Sequence, residues 1–137
     1  MLQTTLSKVR ETLSKYRLLQ NDGDQLLSFL LNLEIEEVIE FLAMFEENNL
    51  IYPRVIGNKF KLSTYESFNL LYILYNEDIL ELNYAFVCPN SSGTVEKIYK
   101  DLNDLPEEYY CVECDEYIDV KDSIVLFRVK EGLTNGS

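Results

Sequence analysis

Toward the end of the chain, Cys111-Val112-Glu113-Cys114 sets two thiols two residues apart, and a third, Cys88, stands upstream next to Pro89. No other short pattern in the sequence restricts the fold as strongly. Tetrahedral Zn²⁺ takes four soft or borderline ligands, and a C-x-x-C turn presents two sulfurs that converge on one point. A chain built around that chemistry needs tight turns at strand ends. Three cysteines are an odd number, and with two of them in C-x-x-C they read as a metal or redox site, not as a secreted disulfide framework.

The segment Cys88-Pro89-Asn90-Ser91-Ser92-Gly93 has a Cys-Pro entry and a Gly exit, with Ser91 where a second cysteine belongs. The gap of 19 residues before Cys111 falls within the ~15–20 of a paired C-x-x-C arrangement. Tyr84 to Val87 lead into Cys88, Tyr109-Tyr110 lead into Cys111, and Ile124 to Phe127 supply a closing strand. Residues 80–130 therefore resemble a zinc ribbon that keeps three of its four ligands. The resemblance implies a structural zinc held by Cys88, Cys111 and Cys114, with a fourth donor such as Asp115, Glu113 or water. Two other readings stay open: a ribbon that stands without metal, and a redox pair with a bystander. A catalytic zinc is disfavoured because the chain has no histidine and no H-x-E signature. Thioredoxin-like chemistry is disfavoured because Glu107, Glu108, Glu113, Asp115 and Glu116 would raise a thiol pKa.

At 137 residues and 47% hydrophobic, with 10 Tyr and 7 Phe, the chain can build a core as one domain or two small ones. Its net charge of -12 opposes the counterion release that drives nucleic-acid binding, and opposes anionic lipid as well. It favours a partner with a basic surface. The sequence has no apolar run of membrane-spanning length, and MLQTTLSKVRETL lacks the order of a signal peptide. These features predict a cytoplasmic protein without a membrane partner. The final Gly-Leu-Thr-Asn-Gly-Ser is expected to be a tail.

Leu2, Leu6, Val9, Leu13 and Tyr16 recur at helical spacing and predict a helix over 4–19. Asn21 to Asp24 break it, with Asp24 placed to cap a short helix through Leu26, Leu27, Phe29 and Leu30. EIEEVIEFLAMFEENN predicts a third helix that stops at Asn48-Asn49. Leu50-Ile51-Tyr52 and Lys59 to Leu62 then flank Val55-Ile56-Gly57-Asn58 as a tight hairpin. Three helices and a hairpin resemble a winged helix. A fourth helix opens at the capping-box spelling Ser63-Thr64-Tyr65-Glu66 and carries Phe68, Leu71, Leu74 and Tyr75 on one face, and Leu80 to Val87 follow as a strand. The expected fold is α+β: a winged-helix-like domain with a β-hairpin wing over 1–63, a linking helix over 64–79, a zinc-ribbon-like antiparallel β module over 80–130, and a tail over 131–137.

A DNA-reading winged helix places its third helix in the major groove. Here that helix carries Glu34, Glu36, Glu37, Glu40, Glu46 and Glu47 and no Lys or Arg. Only Arg54, Lys59 and Lys61 around the predicted hairpin are basic, too few to anchor a duplex. A winged helix followed by a zinc ribbon, with an acidic bias, is similar in module order to the general transcription factor E family. That layout implies action through protein contacts. The sequence thus points to a non-enzymatic adaptor or regulatory subunit docking a larger protein through the acidic third helix, with Glu36, Glu37 and Glu40, or through the exposed strands of the ribbon, with Arg54, Lys59 and Lys61 as further candidate contacts. Two alternatives are a DNA-binding transcriptional regulator acting as a dimer and an acidic DNA-mimic inhibitor. The apolar fourth helix also suits a homodimer.

Overall fold

The computed structural model describes residue 1 and residues 3–20, 27–46, 48–90 and 95–130. The break at Asn21 to Asp24, the Asp24 cap, Leu26, Ser91 and the tail lie outside these. The chain forms two compact units, one of Met1–Glu81 with Phe127–Ser137, the other Leu82–Leu126.

In the first unit, α1 spans Gln3–Leu18 and buries Leu6, Val9 and Leu13 at the predicted spacing. A 3₁₀ turn, Ser28–Asn32, sinks Phe29 and Leu30 into the same core. Helix α2, Ile35–Leu42, buries Ile35, Val38, Ile39 and Leu42, with Glu36 and Glu37 in its first turn, where carboxylates complement the helix dipole. It ends before the predicted Asn48 stop. Asn48 does adopt a left-handed φ of 71°, and its N–H donates to the Val129 carbonyl at 3.0 Å.

The hairpin expected over 50–62 does not form. Leu50–Ile51 is a short strand, β1, paired antiparallel with Arg128 and Phe127 of β6 (Ile124–Val129), and Pro53–Phe60 is a helix, α3. Tyr52 is extended (φ -94°, ψ 129°), the conformation a following proline favours, and Pro53 starts the helix where its missing N–H costs nothing. The β-prone look of Val55 and Ile56 gives way to tertiary packing, since Ile56 is fully buried. Lys61 ends the helix in the left-handed conformation, and Leu62 N–H bonds the Gly57 carbonyl at 3.0 Å.

Helix α4, Thr64–Asn76, begins with the capping box read from the sequence: Glu66 N–H donates to Ser63 Oγ at 3.0 Å, and Ser63 N–H donates to Glu66 Oε1 at 2.9 Å. It buries Ser67, Leu70, Leu71, Ile73 and Leu74. Gly57 permits the close approach of α3 to α4, because a Cβ there would lie 2.6 Å from Ser67 Oγ and 3.0 Å from the Leu62 carbonyl oxygen.

The predicted strand over 80–87 is β2, Leu80–Val87. It is followed by β3 (Val95–Tyr99), β4 (Glu108–Cys111) and β5 (Glu116–Asp119). One sheet has the order β1-β6-β2-β3 and the other pairs β4 with β5. The fold is α+β with antiparallel pairing of β1 with β6, β2 with β3, and β4 with β5.

Gly57→Ala should lower the stability of the first unit by about 1–3 kcal/mol through overpacking, opposite in sign to the ~1 kcal/mol gain expected in an open helix. Adding Ser67→Ala should recover part of the loss. Urea unfolding followed by circular dichroism checks both; a more stable Gly57→Ala variant would refute the close packing.

Candidate metal centre

The second unit brings all three cysteines together. Cys88 follows the end of β2, Cys111 is the last residue of β4, and Cys114 lies in the turn to β5. That turn is tight because Asp115 takes a left-handed φ of 57° and its N–H donates to the Cys111 carbonyl at 2.9 Å. The three sulfurs lie within 4.8 Å of one another, a group that could hold a metal ion. Cys88 and Cys111 are buried with Phe86 and Ile118, and Tyr99, Leu105, Tyr109, Cys114 and Val120 pack against them. Tyr109 stacks on Phe86 at a centroid distance of 5.4 Å and Tyr99 meets the same ring edge-on at 6.0 Å.

The Cys111 thiol donates to Glu96 Oε1 at 3.4 Å. Without metal its pKa is pushed up to about 12, first by burial and further by hydrogen bonding with the Cys114, Cys88 and Glu96 side chains, while the Cys114 backbone works the other way. Burial, and then the nearby Glu96, also raises the Tyr109 phenol. A redox or nucleophilic cysteine needs a depressed pKa, and Cys111 has the reverse. Metal coordination remains the chemistry the cluster suits, since a bound cation supplies the charge that makes a thiolate tolerable in an apolar core.

Among the fourth donors foreseen, Glu113 and Asp115 belong to the exposed part of the β4–β5 turn. Glu96 was not foreseen. It stands on β3, three residues after the Gly93 exit of the first knuckle, and no local pattern marks it as a ligand.

The predicted interaction residues are distributed differently from the expectation. Glu36 is engaged by Arg10, whose Nε and Nη2 donate to its two carboxylate oxygens at 2.7 and 2.9 Å, and this hydrogen bonding holds the Glu36 carboxyl below its ordinary value. Glu37 and Glu40 line an open groove of about 410 Å³ with Phe41, Met44 and Lys59. Arg54 and Lys59 lie on α3 and Lys61 in the α3–α4 turn, so the expected basic hairpin is replaced by a helix and a turn. Among the described residues, no helix is long and apolar enough to cross a membrane.

No protein-family model matches this chain, and neither a curated protein nor a solved structure shows significant similarity to it.

The raised thiol has a consequence at high pH. The unfolded chain releases the Cys111 proton near pH 9, the folded metal-free protein only near pH 12, so this group's stabilising contribution is present below about pH 9 and is lost as pH rises toward 12. Urea midpoints measured in chelator should therefore fall across that range. Cys111→Ala should flatten the fall, leaving the smaller alkaline loss that Tyr109 contributes in the same direction.

Proposed function

We propose that the chain is a non-catalytic protein-interaction subunit: a winged-helix module with a zinc ribbon in the chain between two neighbouring strands of its sheet. Support for the first part comes from topology. On this reading the helix-turn-helix is α3 and α4, which are joined by Lys61-Leu62-Ser63 and have the short connection of that motif. The neighbouring strands β2 and β6 come after α4 in the order a wing would. On this reading α4, not α2, stands where a recognition helix would.

The observation that carries the functional reading is the composition of those two helices. Neither α2 (IEEVIEFL) nor α4 (TYESFNLLYILYN) contains a Lys or Arg, whereas reading a duplex relies on cationic side chains at phosphates and base edges. Glu37 and Glu40 instead offer carboxylates beside the exposed Met44, a surface suited to a basic protein partner. The buried sulfurs support a structural zinc. The unit Leu82–Leu126 is of a size at which a hydrophobic core alone is marginal and a metal supplies folding free energy.

A photo-crosslinking residue at Met44 should trap a protein partner, and Glu37→Gln with Glu40→Gln should abolish the adduct. Retention of duplex DNA in a low-salt gel shift would overturn this assignment in favour of a dimeric DNA-binding regulator. Elemental analysis should find about one zinc per chain. Cys111→Ser with Cys114→Ser should release the zinc and unfold the second unit; an unchanged melting curve would count against a structural metal.

A further inference from the structure

We propose that Glu96 is the fourth ligand of the metal, replacing the cysteine that the first knuckle lacks. This rests on the reading of Cys88, Cys111 and Cys114 as a metal centre. The first observation is the 3.4 Å contact between Glu96 Oε1 and Cys111 Sγ. In a tetrahedral zinc site with Zn–S ~2.3 Å and Zn–O ~2.0–2.2 Å, a sulfur and an oxygen ligand stand ~3.5 Å apart. Glu96 and Cys111 are already separated by the edge of such a tetrahedron.

The second observation is backbone register. Phe86 pairs with Lys97 but Val87 pairs with Val95, so Glu96 is the extra residue of a bulge in β3. Phe86 on β2 and Cys88 just past its end are both buried in the same cluster. In an unbroken ladder Glu96 would project to the face opposite Lys97, and so away from Phe86. A bulge breaks the alternation and re-aims one side chain; here the residue re-aimed is a carboxylate in contact with a ligand sulfur. Glu113 and Asp115 are exposed on the turn, whereas Glu96 is part-buried against Cys111.

Metal entry exchanges three thiol protons for one dication. The protons pass to solvent, no electron moves, and the cation takes the place of the Cys111 proton between sulfur and carboxylate. The site so formed, three thiolates and one carboxylate, is closed by protein groups, as structural zinc sites are.

The test is Co²⁺ titration of the full-length chain followed by visible absorption, with Zn²⁺ competition to report affinity. The wild type should show thiolate-to-metal charge transfer and intense tetrahedral d–d bands. Glu96→Gln should bind at least ~10–100-fold more weakly, the loss typical of disturbing even an outer-shell partner, and should alter the d–d bands. Glu96→Cys should restore tight binding with bands displaced to longer wavelength, as a fourth thiolate requires, and this variant also guards against a Glu96→Gln protein that fails to fold. Glu113→Gln and Asp115→Asn should match the wild type. If both Glu96 variants keep the wild-type spectrum and affinity, or if Asp115→Asn or Glu113→Gln changes them instead, the ligand assignment is wrong while the metal centre stands. A wild type that binds neither Co²⁺ nor Zn²⁺ removes the metal centre and the assignment together.

Discussion

The second unit depends on sulfur burial. Of the residues that form its buried cluster, Phe86 and Ile118 are ordinary hydrophobes, and Cys88 and Cys111 are thiols. A cluster this small gains only a few kcal/mol from apolar burial, and half of its members are thiols that could hold a metal ion. The tyrosines at its rim pack against this cluster, Tyr109 stacked on Phe86 and Tyr99 edge-on to it. Burial in this cluster raises the Cys111 thiol, so a thiolate at that position needs a compensating positive charge.

In the first unit the corresponding constraint is the approach of α3 to α4. It depends on Gly57 having no side chain and on Ser67 filling the space, with Ser67 Oγ donating to the Ser63 carbonyl at 2.8 Å. The capping box at Ser63 fixes where α4 begins, and the left-handed Lys61 fixes where α3 ends. Three residues of turn therefore set the relation between two helices, a local solution that leaves the outer side of α4 with Tyr65 and Tyr72 exposed.

Charge is organised on the same scale. Glu36 is taken up by a two-pronged contact with Arg10, and Lys130 bonds Asp78, holding that carboxyl below its ordinary value. Such exposed pairs add little stability. On α2 the Arg10 contact takes up Glu36, while Glu37 and Glu40 line a groove with Phe41, Met44 and Lys59, so the acidic face is narrower than its sequence suggests.

Patterns confined to a few residues were legible in the sequence. The apolar spacing of α1 and α2, the Ser63–Glu66 capping box, the β2 strand and the cysteine knuckle at 111–114 all follow from contacts within one or two turns of chain. Residues 50–62 were misread because Val55, Ile56, Gly57 and Asn58 suit a hairpin when taken alone. Pro53 starting a helix and Ile56 entering the core decided otherwise, and that choice is made by packing. The nearness of Glu96 to Cys111 was equally out of reach, since it combines a one-residue slip between β2 and β3 with a contact between residues of two different sheets. Sequence determined which side chains have metal-binding chemistry; only the tertiary structure could decide which of them meet, because a bulge changes the face a residue occupies without changing any residue.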